Sequence, residues 1–350
     1  MSDREKMAAD ELAIVLSHFD IGVIETIKEY PRGSRRAPKL LLRAEKGEFL
    51  LKRRARGKDD PFKVAFAHSL QLFLATRQFP LPHLVGTRRD NNSMLQYNNS
   101  VYELFEYIRG EAYDGSLMAT EDSGRVLALY HKLLHDYTPE FEPPEGSFHQ
   151  SAAVPGGLEQ ITVTFSRKNP ANPAKPASET EVRDTVGFLR SAYDQAVARV
   201  SATGFNDWPT QIVHCDWHPG NMLFRNGKVV AVIDYDAARL QQRVMDIANG
   251  SLQFSIIGGS IDPGGWPDYV DERRFIKFLK GYDAVDVVTV AELEVIPWLM
   301  IEAMVAESVL PIAATGSFGR IEGYGFLQMI ERKVRWVQKH MQKLVKSVST

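Results

Sequence analysis

One segment decides the fold of this chain: HCDWHPGNMLFRNGKVVAVIDYD, residues 214–236. It has the form H-x-D-x-x-x-x-N, followed by a hairpin with an Asn-Gly turn and by an apolar strand that ends in Asp234. Phosphoryl transfer to an alcohol needs one carboxylate at the acceptor hydroxyl and separate oxygen ligands that hold Mg²⁺ against the phosphates. Asp216 and Asn221 can divide these tasks, and the hairpin brings Asn221 close to Asp234. These residues can therefore supply the groups that phosphoryl transfer to a hydroxyl requires.

With these residues the segment resembles the aminoglycoside phosphotransferase and choline kinase superfamily, whose members have a protein-kinase-like fold. The resemblance implies that Asp216 is the catalytic base, that His214 positions the catalytic loop, and that Asn221 and Asp234 bind the metal. Asp236 is a further candidate metal ligand, and its alternative is a solvated residue at the strand end. The implied cofactors are ATP and Mg²⁺.

Further stretches extend the resemblance over residues 22–250. The segment YELFEYIRG resembles the hinge whose backbone contacts adenine, which makes Glu106 and Ile108 candidate nucleotide contacts. Gly33 lies in a basic loop and is a candidate phosphate-loop glycine, although a single glycine is more often an ordinary turn residue. Asp246 resembles the aspartate that follows the metal ligands in the family, and we expect it to be structural.

Lys52 ends an apolar strand, as does the family's lysine that bridges nucleotide phosphates. The chain departs from the family here, because the predicted helix at 61–78 should carry a glutamate that pairs with this lysine, and it contains no acidic residue. Asp59 and Asp60 lie just before the helix. Either another acid pairs with Lys52 or nucleotide affinity is reduced.

The hydrophobic pattern predicts strands followed mainly by helices, an α+β arrangement, and the family resemblance implies that this is a protein-kinase-like fold with two lobes. Residues 1–106 read as the N-terminal nucleotide-binding lobe, a small antiparallel sheet with one helix, and 107–350 as a larger, mainly helical catalytic and substrate-binding lobe. Residues 138–178 are rich in Pro, Gly, Ser and Asn, and residues 169–176 are predicted to form an exposed loop.

The composition limits the function further. The chain has 350 residues, 44% of them hydrophobic, with a net charge of −2, which is not that of a whole-chain nucleic-acid binder. Its single cysteine excludes an intramolecular disulfide and a CxxC metal site. The N-terminus is charged throughout, unlike a signal peptide, and no uninterrupted apolar run approaches the roughly 20 residues of a membrane span. We expect a cytoplasmic enzyme whose partner is a small-molecule hydroxyl acceptor, with neither nucleic acid nor membrane. The oligomeric state is not indicated.

Two other functions stay open at this point. The missing helix acid is compatible with a pseudokinase that binds nucleotide or acts as a scaffold without turnover. The pattern His214-x-Asp216-x-His218 resembles a metal-hydrolase site with two histidines and a carboxylate. Acceptor identity is not readable, although Glu302 and Glu307 are acids that either contact a cationic acceptor or lie on solvated helix faces.

Overall fold

The structure is a computed structural model that describes residues 5–31, 33–166, 178–258 and 262–348, and the predicted loop at 169–176 lies outside these ranges. The helices of the described residues are α1 (Ala9–Ser17), α2 (Pro61–Ala75), α3 (Leu117–Leu134), α4 (Ala153–Ser166), α5 (Glu179–Ser201), α6 (Val244–Ser255), α7 (Glu272–Asp283), α8 (Val290–Thr315) and α9 (Gly323–Val348). The strands are β1 (Ile24–Glu29), β2 (Lys39–Ala44), β3 (Gly47–Arg53), β4 (Leu95–Tyr97), β5 (Ser100–Glu106), β6 (Thr210–Val213), β7 (Met222–Arg225), β8 (Lys228–Val232), β9 (Arg239–Gln242), β10 (Ser317–Phe318) and β11 (Ile321–Glu322).

The chain divides into two compact units. The first comprises Met1–Tyr113, Asp136–Pro144 and Gly220–Ala238, and the second comprises Asp114–His135, Glu145–Pro219 and Arg239–Thr350. These units are built from several chain segments, whereas the sequence suggested a single division after residue 106. That division remains a prediction about the lobes.

The first unit is built on a five-stranded antiparallel sheet with the strand order β1-β2-β3-β5-β4. Side chains alternate between its two faces because successive residues of a strand point in opposite directions. The face that packs on α1 forms an apolar core, made of Val15, Leu16, Phe19, Ile21, Leu42, Ala44, Phe49, Leu51, Tyr102 and Leu104. Lys52 and Glu103 are cross-strand neighbours and lie on the opposite face, with α2.

Helix α2 begins after Asp60, whose side chain accepts a hydrogen bond from the backbone N–H of Phe62. The sequence predicts an apolar face for this helix at Phe62, Phe66, Leu70, Phe73 and Leu74. That prediction is only partly correct. Phe62 is 77% exposed, while His68 and Gln71 are buried. The buried face therefore carries a polar group, His68, towards the sheet, and this histidine becomes important for the site.

The second unit is mainly helical, and its described residues contain four strands, two of which pair although they are distant in the sequence. Strand β6 pairs antiparallel with β9, and β10 pairs with β11. Neither pairing was predicted, because four- and two-residue strands carry too little pattern. The sequence predicts a long helix over residues 179–201, and α5 agrees with that range. The helix begins with a capping box made by Ser178 and Glu181.

Helix α4 lies within the segment rich in Pro, Gly, Ser and Asn, and it was not predicted. Val154, Leu158, Ile161 and Phe165 are all buried and recur at helical spacing. The signal was hidden by Pro-Gly-Gly at 155–157, which lies in the first turn of the helix, where proline is tolerated.

By length and composition, α8 is the one described helix that passes the test for a membrane span, with a mean hydropathy of 1.6 in its most apolar window. That window is 78% buried inside the structure, and buried core helices pass the same test. The helix also contains Glu292, Glu294, Glu302 and Glu307. It is therefore weak evidence for a membrane span.

Helices α3 and α7 approach so closely that each presents a glycine to the other. A Cβ at Gly281 would overlap the carbonyl oxygen of Glu121, and one at Gly124 would overlap that of Phe278. We predict that Gly281→Ala lowers the free energy of unfolding by about 1–3 kcal/mol, because backbone atoms cannot yield as side chains do. Urea unfolding measures the change.

The matched control is Gly187→Ala on the exposed face of α5, where an added Cβ meets nothing within 4 Å. This variant should gain about 0.5–1 kcal/mol, because alanine favours helix more than glycine does. Equal unfolding midpoints for the two variants would contradict the close approach of α3 and α7.

Candidate active site

In the second unit, one buried aspartate holds the start of the H-x-D segment. Asp246, on α6, is 1% exposed and accepts hydrogen bonds from the backbone N–H groups of His214 at 2.6 Å and Cys215 at 2.7 Å. His131 Nε2 lies 3.2 Å from the same carboxylate, and its Nδ1 lies 2.8 Å from the Tyr282 hydroxyl. The expected structural role of Asp246 thus has a definite form, in which it fixes the backbone that leads into Asp216.

The ring of His214 is fully buried and supports the residues after it. Its Nδ1 accepts a hydrogen bond from the backbone N–H of Asp216 at 3.3 Å. Edge-on contacts to Tyr130 and Trp217, with ring centroids 5.9 and 5.4 Å apart, surround the imidazole. This is the geometry of a positioning residue, in keeping with the role predicted for His214.

The carboxylate of Asp216 is accessible, with 44% of its side chain exposed. His218 Nε2 lies 3.5 Å from Asp216 Oδ1. An anchored backbone with an accessible carboxylate is what a general base for an incoming hydroxyl requires.

Cys215 lies between the positioning histidine and the candidate base, yet its chemistry is unsuited to catalysis. Burial, together with the nearby charge of Asp246, raises the pKa of the Cys215 thiol. The thiolate is the nucleophilic form, so the raised pKa makes this cysteine inert. Its φ of 60° places it in the left-handed region and produces the sharp turn before Asp216.

Glu302 and Glu307, the two acids of α8 considered as acceptor contacts, differ in their surroundings, and Glu307 is the one that interacts with Asp216. Burial and the charge of Asp216 raise the pKa of Glu307 to about 7, opposed by His218 and by a hydrogen bond from Gln253 at 2.8 Å. Glu302 is fully buried instead, with its carboxylate 2.9 Å from His149 Nδ1. Glu302 is therefore a structural residue.

In the first unit, the hairpin β7-β8 brings Asn221 and Asp234 to the same end, as predicted. The backbone N–H of Ile233 donates to the carbonyl of Asn221 at 2.9 Å. Asn226 and Gly227 form the turn, both with positive φ. Asp234 is exposed and has a φ of 67°, a conformation that a non-glycine residue keeps only where its surroundings hold it.

The donor set of this hairpin end fits Mg²⁺. Asn221 and Asp234 offer hard oxygen donors, and Mg²⁺ is commonly bound by one or two protein ligands, with the remaining positions taken by water and phosphate oxygens. Among the described residues, no group of three or more His, Cys, Asp or Glu side chains could hold a metal ion. The two oxygen ligands are thus suited to a metal that arrives with a nucleotide.

The acid missing from α2 is supplied by strand β5. Glu103 Oε2 lies 3.2 Å from Lys52 Nζ, and Glu103 Oε1 lies 2.7 Å from His68 Nε2. Burial alone would raise the pKa of Glu103, but Lys52, His68 and Arg54 hold it well below its usual range. Glu103 was not among the predicted site residues, although an acid in the middle of an apolar strand was a usable signal.

Arg54 joins Glu103 to Asp236. Its two terminal nitrogens donate to both carboxylate oxygens of Asp236, at 3.0 and 2.8 Å, and one of them also donates to Glu103 at 2.7 Å. We predicted Asp236 as a candidate metal ligand. Both of its oxygens are engaged by Arg54, so we leave it out of the proposed metal set.

The other candidate nucleotide contacts lie at three places in the first unit. Gly33 lies between β1 and β2 with a φ of 85°, and a Cβ there would meet Lys39 Nζ at 2.6 Å. Glu106 ends β5, is exposed, and its backbone N–H donates to the carbonyl of His83. Ile108 follows as a half-buried residue. Their contacts with a nucleotide stay predictions.

Comparison with known proteins identifies a family and similar folds. The profile of the phosphotransferase enzyme family matches residues 26–301. No curated protein matches the sequence. The aminoglycoside phosphotransferase from Alicyclobacillus acidocaldarius has a similar structure, with a TM-score of 0.67, 16% identity and coverage of 99% of this chain and 98% of that chain.

Two further solved structures are similar over nearly the whole chain. A microcompartment-associated aminopropanol kinase has a TM-score of 0.67 and 14% identity, covering 96% of this chain and 98% of that chain. An amicoumacin kinase in complex with AMP-PNP and Ca²⁺ has a TM-score of 0.64 and 12% identity, covering 95% and 94%. At these identities the likeness shows the fold, and it confirms the predicted kinase-like fold class.

The raised pKa of Glu307 predicts a pH-dependent stability. The folded protein holds this proton more tightly than the unfolded chain, so stability is lost as pH rises from 4.5 through about 7. Glu307→Gln removes the ionisation. We expect no difference from wild type near pH 4 and a more stable variant at pH 8, by about 3 kcal/mol.

Unfolding free energies measured across this pH range test the prediction. Glu294→Gln, at an exposed position of the same helix, is the matched control and should show no such trend. A constant difference between Glu307→Gln and wild type at all pH values would contradict it.

Proposed function

The chain belongs to the phosphotransferase enzyme family, and we propose that it uses ATP and Mg²⁺ to phosphorylate a hydroxyl of a small, amine-bearing molecule. One observation carries this proposal. Asp216 presents an accessible carboxylate on a backbone that the buried Asp246 fixes by two hydrogen bonds.

The residues divide the reaction as follows. Asp216 orients the acceptor hydroxyl and takes its proton while the oxygen forms a bond to the γ-phosphorus and the bond to ADP breaks. Lys52, held by Glu103, binds phosphate oxygens through its ammonium group. Asn221 and Asp234 would hold Mg²⁺, which supplies positive charge to the transferring phosphoryl group.

An amine on the acceptor is supported by the charge around Asp216. A cationic group near Asp216 and Glu307 would be stabilised by both, and its charge would lower the raised pKa of Glu307. The names of two solved relatives, an aminoglycoside phosphotransferase and an aminopropanol kinase, also denote hydroxyl-bearing amines. We further propose that the enzyme acts in the cytoplasm, where ATP and Mg²⁺ are available.

The two other functions lack support. The pseudokinase was suggested by a missing partner for Lys52, and Glu103 is that partner. The metal hydrolase requires His214 as a ligand, but its ring is buried and its Nδ1 accepts a hydrogen bond from the Asp216 backbone. Both observations favour the kinase.

Replacing the base tests the proposal. We predict that Asp216→Asn lowers kcat by about 10²–10⁴-fold, because the amide cannot accept the hydroxyl proton. AMP-PNP affinity should stay within a few-fold of wild type, because the nucleotide is assigned to Lys52, Asn221 and Asp234. The assay measures ADP release with Mg²⁺ across a panel of amino alcohols, aminoglycosides, homoserine and sugars.

The control is Cys215→Ala, which removes the neighbouring thiol and should retain turnover because that thiol is inert. An Asp216→Asn variant with wild-type turnover would refute the assigned base. Loss of turnover in Cys215→Ala with an intact fold would point to thiol chemistry instead.

A further inference from the structure

We propose that one buried carboxylate, Glu103, positions both Lys52, the proposed phosphate-binding lysine, and residues 234–237, which carry the proposed metal ligand Asp234. We call residues 234–237 the metal-binding segment. Glu103 acts on Lys52 directly and on Asp234 through Arg54 and Asp236. The inference rests on the proposed function, because it takes Lys52 as the phosphate-binding lysine and Asp234 as a metal ligand. Glu103, Arg54 and Asp236 are positioning residues, and they act through other residues.

The first step is the burial of the two central charges. The side chain of Glu103 is 0% exposed and that of Arg54 is 5% exposed, and their oxygen and nitrogen lie 2.7 Å apart. Water cannot replace either partner at this depth, and a buried charge without a partner is strongly unfavourable. Separating the two charges would therefore be strongly unfavourable.

The second step is the backbone that carries these charges. Lys52 and Glu103 are opposite each other in the antiparallel pair β3-β5, and Arg54 lies two residues beyond Lys52, on the same face. The backbone N–H of Arg54 donates to the carbonyl of Val101 at 2.9 Å, which extends the pairing. The three side chains thus start from a sheet, which holds them more firmly than a loop would.

The third step leads from the sheet to the metal-binding segment. The guanidinium of Arg54 donates two hydrogen bonds to the carboxylate of Asp236, and this bidentate geometry fixes orientation as well as distance. Asp236 lies in the short turn Tyr235–Ala237, directly after Asp234. Tyr235 is buried, and its hydroxyl donates to the carbonyl of Val232 at 3.2 Å.

These contacts hold Asp234 from both sides of the chain. Before Asp234, strand β8 pairs with β7, and after it, Asp236 is hydrogen-bonded to Arg54. Asp234 itself has the left-handed φ of 67° and an exposed side chain. The surroundings thus maintain an unfavourable backbone conformation and leave the carboxylate available for a ligand.

Nucleotide binding by Lys52 and metal binding by Asp234 should therefore depend on different members of this group of residues. Loss of Glu103 affects Lys52 and the metal-binding segment together, whereas loss of Arg54 or Asp236 affects only the segment. Residues that orient metal ligands typically change metal affinity 10–100-fold when replaced. Nucleotide affinity without metal reports on Lys52, and the gain in affinity on adding Mg²⁺ reports on Asp234.

The experiment is calorimetric titration of the full chain with AMP-PNP, once in EDTA and once in Mg²⁺. The variants are Arg54→Lys, Asp236→Ala, their combination and Glu103→Gln. Arg53→Lys is the matched control, because Arg53 is the adjacent arginine but points to the other face of the sheet, where it pairs with Glu11 at 2.8 Å.

We call the contacts from Glu103 through Arg54 to Asp236 the relay. If the relay positions Asp234, Arg54→Lys and Asp236→Ala should each reduce the gain in AMP-PNP affinity on adding Mg²⁺ by about tenfold. Both variants should keep a metal-free affinity within about threefold of wild type. The combination should be no worse than either single change, because both break the same link. Glu103→Gln should lower the metal-free affinity as well as the gain. Arg53→Lys should change neither.

The relay would be overturned if Arg54→Lys left the gain in AMP-PNP affinity on adding Mg²⁺ unchanged. It would also be overturned if the combined variant lost the product of the two single losses. Complete loss of the gain in Asp236→Ala alone would make Asp236 a direct metal ligand and would also overturn it. If Arg54→Lys does not fold, Asp236→Ala still decides, because its side chain is 27% exposed and an unchanged gain refutes the link. A wild-type chain that binds no AMP-PNP in either buffer would instead refute the proposed function.

Discussion

A fully buried carboxylate, Glu103, is the constraint on which the nucleotide-binding part of this structure depends. Three cationic or potentially cationic side chains converge on it: Lys52, Arg54 and His68. Removing one partner of such a cluster leaves a buried charge without compensation, typically at a cost of about 3–5 kcal/mol. The cluster therefore holds β3, β5 and α2 in one arrangement and explains why a helix without acids still faces the sheet.

In the second unit, a buried carboxylate likewise fixes the backbone next to the candidate base Asp216. Asp246 is buried and receives two backbone N–H groups just before Asp216, and His131 supports it. In both places the residue assigned to chemistry is accessible, while the carboxylate that positions it is buried. Rigid support behind an accessible group is what phosphoryl transfer requires, since most of its catalysis comes from positioning and electrostatic stabilisation.

The parts of the fold that local sequence specifies were predictable. The β7-β8 hairpin follows from its Asn-Gly turn, and α5 follows from its helical periodicity and capping box. The candidate base and metal ligands were assigned from the family resemblance of one short segment, and their roles stay predictions. Helix α4 was missed because Pro-Gly-Gly at 155–157 hides a regular apolar repeat, and β9 was missed because its partner, β6, is distant in the sequence.

The partner of Lys52 could not be derived because it depends on strand register. Nothing local relates Glu103 to Lys52, and only the pairing of β3 with β5 brings them opposite each other. The same holds for Asp236, whose position after the apolar strand suggested a metal ligand. Its actual partner, Arg54, belongs to a different part of the chain.

The most direct measurement is a crystal structure of the protein with AMP-PNP and Mg²⁺. The account predicts Lys52 Nζ on a phosphate oxygen with its contact to Glu103 retained, and Mg²⁺ bound by Asn221 and Asp234 but not by Asp236. Phosphates bound away from Lys52, or a metal held without Asn221 and Asp234, would contradict it.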